Sequence, residues 1–335
     1  MRTFSTVVVV APLFAAVSLF SACVGSDAPV AAAKIDSSVP PVNDGGAADG
    51  GADGPVVEVD AGPKRCAADA DFQTNAILLD FPTPTGHEVR GGRPVPNLGT
   101  VFALVGGLKD SRLFVLPPGG SANNVIPIET PTTSAVLSSA DIRVEGAADV
   151  RIVFSEGNMP IHPENYGDRA MKTGKLTLTN GSYKISEVTV LGGPEIDQAE
   201  AQLLPEGILM SYRAFDGSGS GVGRRKLRLL EGALGLTGIT AREDVFSGPA
   251  SETSPYQVAN GTLYFATLDE SQLVTGIRAR RPDATIATVP IPLPQAAWKG
   301  GVTWVSPDEC EVWYNAPKSP SEPRSILWRA TRKPK

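Results

Sequence analysis

From about Cys66 onward, apolar residues come in short bursts separated by Gly, Pro, Asn and Asp, and no stretch sustains a long helical period. The pattern is plainest in Gly300–Arg332, which predicts three strands: Val302–Val305, Cys310–Asn315 and Ser325–Ala330. A polar turn at Ser306–Glu309 joins the first two, and a Pro/Ser-rich loop leads to the third. Aromatic and β-branched residues bounded by turn formers are the strand signal. "AEAQLLPEGILM" around Ala199 has the composition to begin a helix, but Pro205 and Gly207 interrupt it.

The same triplet recurs upstream. Second strands read "VRIVF" at Val150, "GILMS" at Gly207, "GTLYF" at Gly261 and "CEVWY" at Cys310. Third strands read "KLTLT" at Lys175, "KLRLL" at Lys226, "GIRAR" at Gly276 and "ILWRA" at Ile326. Leu227, Ile277 and Leu327 fall 50 residues apart. First strands begin near Ala140, Ala199, Ser254 and Gly301, and a poorer copy lies at "TVFALV" and "RLFVL". Segments fit to be fourth strands lie between units, at Tyr183, Ile239 and Thr285. A period near 50 with four strands per unit is propeller arithmetic. The expectation is an all-β fold: a single β-propeller of five four-stranded blades, or six if the weak first region contains another. Asn180-Gly181 and Asn260-Gly261 read as tight turns; both also spell glycosylation acceptors.

Ser306-Pro307-Asp308, Val312-Trp313-Tyr314 and Ile326-Leu327-Trp328-Arg329-Ala330 resemble the TolB-type, WD-like β-propeller repeat, with Glu309-Cys310 in place of its usual glycine step. "NGTLYF" at Asn260 is a second match. The resemblance implies a propeller fold in a cell-envelope context and brings no catalytic site with it.

Ahead of the repeats, Arg2, the apolar run Val7–Phe20 and Ser21-Ala22 have the form of a secretory signal. Leu19–Cys23 resembles a bacterial lipobox, which implies cleavage before Cys23 and its lipidation with acyl chains such as palmitate; ordinary secretion is the alternative. Val24 at the next position favours the outer membrane by the enteric sorting rule. Residues 24–65 contain "NDGGAADGGADGP", have no aromatic residue and read as a flexible tether. The domains expected are therefore a signal peptide over 1–22, a linker over 23–65 and a propeller over 66–335.

Composition narrows the function classes. The formal net charge of −6 gives no electrostatic support to a nucleic-acid role. With Cys23 assigned to lipid, Cys66 and Cys310 remain as a pair in an oxidising compartment. They are expected to form a disulfide, with "NAILLDF" at Asn75 as the outer strand of the last blade; two free thiols are the alternative.

Two histidines are present, His87 and His162, and no spacing of His or Cys makes a metal site. The insertion Met159–Ala170, with His162, Glu164, Tyr166, Asp168 and Arg169, is the candidate binding loop, against the blander reading of a solvated loop. Carboxylates for glycoside chemistry exist at Glu156, Asp168, Glu195, Glu206 and Asp269, but spacing alone pairs none of them. No cofactor motif is found, and a monomer is expected. The reading is a lipid-anchored envelope protein with a noncatalytic binding propeller; the alternative is an envelope glycan hydrolase on the same scaffold.

Overall fold

The structure is a computed structural model. It describes residues 65–81, 87–106, 110–131, 136–146, 149–157, 169–191, 196–213, 224–232, 241–246, 248, 250–270, 273–291 and 300–332.

The described residues form five four-stranded antiparallel units. Strand β1 (Phe72–Leu79) comes first in the chain but belongs to the last unit. Blade 1 is β2 (Glu88–Val95), β3 (Gly99–Gly106), β4 (Asp110–Leu116) and β5 (Ile126–Glu129). Blade 2 is β6 (Val136–Gly146), β7 (Asp149–Gly157), β8 (Ala170–Thr179) and β9 (Ser182–Val190). Blade 3 is β10 (Ile196–Leu204), β11 (Gly207–Arg213), β12 (Lys226–Glu231) and β13 (Ala241–Phe246). Blade 4 is β14 (Ser251–Gln257), β15 (Leu263–Leu268), β16 (Val274–Arg280) and β17 (Ile286–Val289). Blade 5 is β18 (Gly301–Val305), β19 (Glu311–Ser319), β20 (Glu322–Arg332) and β1.

Each first strand touches the first strands of its two neighbours, and β18 meets β2, so the ring closes. The fold is an all-β, five-bladed propeller. Blades 1 and 2 are further joined at their outer edges, where β5 and β9 pair in parallel at Ile128↔Tyr183 and Glu129↔Lys184.

Five apolar clusters fill the five seams between blades. Strand periodicity explains this, because successive side chains point to opposite faces of a blade. Ile208, Met210 and Tyr212 of β11 pack toward blade 2, while Leu209 packs toward blade 4. Leu263 and Phe265 of β15 face blade 3; Tyr264 and Ala266 face blade 5. Val312, Tyr314 and Ala316 of β19 face blade 4, and Trp313 turns to blade 1. Ile152 and Phe154 of β7 join the seam with blade 1, and Val153 that with blade 3. Buried on both faces, the second strands carry unbroken apolar runs.

The last blade closes as expected. β1 runs antiparallel to β20, with Asn75 opposite Ala330 and Ile77 opposite Trp328. Cys66 and Cys310 form a disulfide with Cα atoms 4.9 Å apart, and Cys66 N–H donates to Asp308 O at 2.9 Å. The Pro/Ser-rich stretch differs from expectation. Rather than a loop, it extends β19 and β20 to a tight turn at Pro320-Ser321, with Pro317 opposite Ser325. Asn180-Gly181 adopts the left-handed turn its sequence predicts, with φ 51° and 80°. "AEAQLLPEGILM" forms β10 and β11, turning at Pro205-Glu206.

Candidate functional site

The five first strands surround the axis, and each slips register against its second strand. The shifts fall between Arg90 and Arg93, Leu137 and Ser139, Ala199 and Gln202, Thr253 and Tyr256, and Val302 and Trp304. Bulges re-aim side chains, and here they turn polar groups toward the axis. Gly91 and Gly300 take φ of 68° and 149°, as do the non-glycines Glu200 (53°) and Ser254 (51°) in the left-handed region. Non-glycine residues there carry strain that the surroundings must hold.

Inward polar side chains stitch one first strand to the next. Ser139 Oγ accepts from Glu200 N–H at 2.9 Å, and Asp141 Oδ2 accepts from Leu203 N–H at 2.7 Å. One blade on, Glu200 Oε2 accepts from Ser254 N–H at 2.7 Å and from the Thr253 hydroxyl, and Gln202 Oε1 accepts from Gln257 N–H at 2.6 Å. Arg93 of β2 spans the axis. Its Nη1 donates to Ala201 O at 2.5 Å and its Nε to Thr303 O at 2.7 Å. It pairs with Asp141 at 3.0 Å, and its guanidinium lies 5.4 Å from the Tyr256 ring centre. One buried side chain of blade 1 thus touches all four other blades.

At one end of the axis lies a denser charge cluster. The antiparallel meander places the starts of first strands and the ends of second strands on the same face of the ring. Asp197 begins β10, Arg213 ends β11, and Arg169 and Arg225 stand just before β8 and β12. Asp197 is buried; Arg169 Nε lies 2.5 Å from it, Arg213 Nε 3.5 Å, and Arg225 Nη2 donates to it as well. Burial raises the Asp197 carboxyl, but Arg225 and Arg169 outweigh that and hold it at about 2. Burial likewise opposes ionisation of Glu200, and Arg225, with the Thr253 and Ser254 donors, brings it below the usual range. Arg225 itself is pushed down to about 10, by burial first and by Arg169 among its neighbours.

Glu252 on the same rim differs. It is buried, one of its carboxylate oxygens has no hydrogen-bond partner, and burial raises the carboxyl to about 7 despite the Gly248 amide. Glu156 is buried against Lys172 at 2.9 Å.

Of the predicted loop residues, Arg169 is the one described, and it anchors the loop's end to Asp197. His162, Glu164, Tyr166, Asp168, Glu195 and Cys23 lie outside the described residues. Glu206 sits exposed in the β10–β11 turn on the opposite face from Glu156, and Asp269 accepts from Leu273 N–H at 2.9 Å in the turn after β15. His87 lines a shallow hollow on blade 1 with Leu104, Arg112 and Phe114. Sequence reasoning missed Arg93, Asp197, Glu200 and Glu252. The signal available was the alternation Ser-x-Asp and Glu-x-Gln in successive first strands. No group of three or more His, Cys, Asp or Glu able to hold a metal occurs among the described residues.

No protein-family model and no curated protein matches the chain. Solved structures do. A family 117 glycoside hydrolase from the marine bacterium Zobellia galactanivorans aligns at 10% identity over 79% of this chain and 90% of its own, with a TM-score of 0.45. A thermostable family 43 glycoside hydrolase aligns at 10% identity over 75% and 91%, TM-score 0.45. A protein described as a gluconolactonase aligns at 15% over 80% and 94%, TM-score 0.41. At this level the fold rests on the chain's own strand order.

Proposed function

We propose that this chain is a cell-envelope lipoprotein whose propeller is a noncatalytic binding module, presented on the Val24–Arg65 tether by a lipid on Cys23. The observation that supports the binding reading is the commitment of the axial carboxylates. Asp141 is held by Arg93 and an amide, Asp197 by three arginines, Glu200 by hydroxyl and amide donors, and Glu156 by Lys172. Hydrolysis of a glycosidic bond needs one carboxyl kept protonated and a second free to act as base or nucleophile across the substrate. At Asp197 and Glu200 the donors that lower the carboxyl's pKa also occupy its lone pairs. The resemblance of Ser306–Ala330 to the TolB-type repeat and of Leu19–Cys23 to a lipobox supports the envelope address. An affinity pull-down with the tethered protein from its own envelope is expected to recover a partner that deletion of residues 159–168 weakens. Unchanged recovery would put the contact elsewhere.

A second reading is favoured by one residue. Burial raises the Glu252 carboxyl to about 7 where it lies against Gly248, at the start of β14, and a general acid needs such a raised carboxyl. The alternative is therefore a glycan-acting hydrolase. A panel of envelope glycans decides between the two: the binding reading predicts no turnover, and turnover abolished by Glu252→Gln would reverse the ranking.

A further inference from the structure

Each blade ends in an outer strand whose edge must be paired, blunted or covered. Blades 1 and 2 pair theirs, β5 against β9, and so merge into one eight-stranded sheet. β13 reads "AREDVF", with Arg242, Glu243 and Asp244 in succession. β17 is four residues long and is followed by Pro290. Charge, brevity and proline are the usual devices against edge-to-edge pairing. β1 has none of the three. It runs for eight residues as "FQTNAILL", without charge, proline or glycine.

β1 is the last strand of its sheet, and among the described residues no strand lies beyond it. Gln73, Thr74, Asn75, Ala76 and Ile77 are all exposed, so both faces of the strand meet solvent, and Ile77 is 43% exposed. The register against β20 shifts between Phe72 and Thr74 and again between Ile77 and Leu79. Between the two shifts, Thr74–Ile77 is a regular stretch opposite Thr331, Ala330, Arg329 and Trp328. Alternate residues of such a stretch direct their N–H and C=O groups away from the sheet. Asn75 Oδ1 accepts from the Tyr314 hydroxyl at 3.0 Å, which holds the strand from within and leaves its outer side open.

We propose that β1 is a self-association edge. The β1 strands of two copies pair antiparallel about a two-fold axis near Asn75–Ala76 and join two fifth blades into one eight-stranded sheet. Two observations favour a second copy as the occupant. Near a two-fold axis each residue faces its own copy or a close neighbour, and a strand without charge meets no repulsion there. The ring also already joins two blades by their outer edges, in parallel and within one chain, at β5 and β9. One strand edge is a small interface, which places the dimer in roughly the micromolar range. The inference departs from the monomer expected of the sequence and does not rest on the binding-module reading. A lipid anchor would add only a higher local concentration of copies.

The test uses the whole secreted chain with Cys23→Ser, so that no lipid contributes to association. Sedimentation equilibrium across the roughly micromolar range is expected to show a monomer–dimer equilibrium. Ala76→Lys and Ala76→Glu each set like charges opposite or diagonal to one another across the two-fold, and each is expected to weaken association about 10-fold. An equimolar mixture of the two variants sets opposite charges there and is expected to restore the dimer. The mixture also separates a lost interface from a lost fold, because misfolded variants would not recover on mixing. A parent that stays monomeric throughout, a dimer indifferent to both substitutions, or a mixture that stays monomeric would overturn the proposal. A parent that dimerises only after deletion of residues 24–60 would assign the edge to the chain's own tether and would equally overturn it.

Discussion

On one face of the ring, the Cys66–Cys310 disulfide joins the segment before β1 to the last blade and the Glu309 carboxylate ties that blade to blade 4; on the other, Asp197 draws in arginines from the ends of blades 2 and 3. The first face is closed by covalent and short-range means. Glu309 accepts from Tyr264 and Asn260, each at 2.5 Å, tying blade 4 to blade 5. Arg332 donates to Glu309 O and to Ala68 O, and stacks 4.3 Å from the Phe72 ring centre. The second face is held by charges that need their partners. The difference is that the first face limits the unfolded chain, whereas the second depends on protonation and on each arginine staying in place. Each can be broken separately.

The largest effect is expected at the disulfide. It closes a loop with a sequence separation of 244 residues. The chain-entropy model assigns such a loop about 5 kcal/mol, an upper figure. Denaturant unfolding with and without reductant should show that loss at unchanged ring topology. A shift of only a few tenths of a kcal/mol would mean that β1–β20 pairing closes the ring unaided.

Asp197→Ala comes next, with an expected loss of about 3 kcal/mol because three guanidiniums are left facing one another. The sign of its pH dependence follows from the depressed carboxyl. Its stabilisation is complete above the ordinary value of 3.8 and is lost as pH falls through about 2. Unfolding curves of the variant and the parent should therefore converge toward pH 2.

Glu252→Gln is smaller and opposite in sense. With its folded carboxyl raised from 4.5 to about 7, Glu252 destabilises the ring as pH rises through that interval. The variant should be more stable than the parent by about 2 kcal/mol at pH 8 and no different at pH 4. Equal stability at both values would show that the carboxylate is solvated after all.

Much of this fold was legible because propeller second strands are buried on both faces. "GILMS" and "VRIVF" read as buried strands once their recurrence along the chain is set beside the 50-residue spacing of Leu227, Ile277 and Leu327. β2 escaped notice because Gly91-Gly92-Arg93-Pro94 breaks the apolar alternation: two of its residues supply the bulge and one reaches inward with a charge. β5, at four residues, is too short to stand out. The Pro/Ser stretch reads as a loop by composition, yet β19 and β20 are long enough to absorb Pro317 and Pro323 near their shared turn. The axial site was the least legible part. Asp197 and Arg213 lie on different strands and Arg225 just before a third, and only the meander brings them together. Arg93 looks like one more charge in a glycine-rich segment until five first strands are set around it.

That side chain carries the account of the axis as a structural device, and equilibrium unfolding of Arg93→Ala tests it most directly. Removing Arg93 leaves Asp141 buried without its cation and frees the Ala201 and Thr303 carbonyls at the centre of the ring. The expected loss is about 3–5 kcal/mol, with strand content retained in whatever fraction stays folded. A loss below about 0.5 kcal/mol, the range of an ordinary surface substitution, would contradict the account and return the axial charges to a functional role.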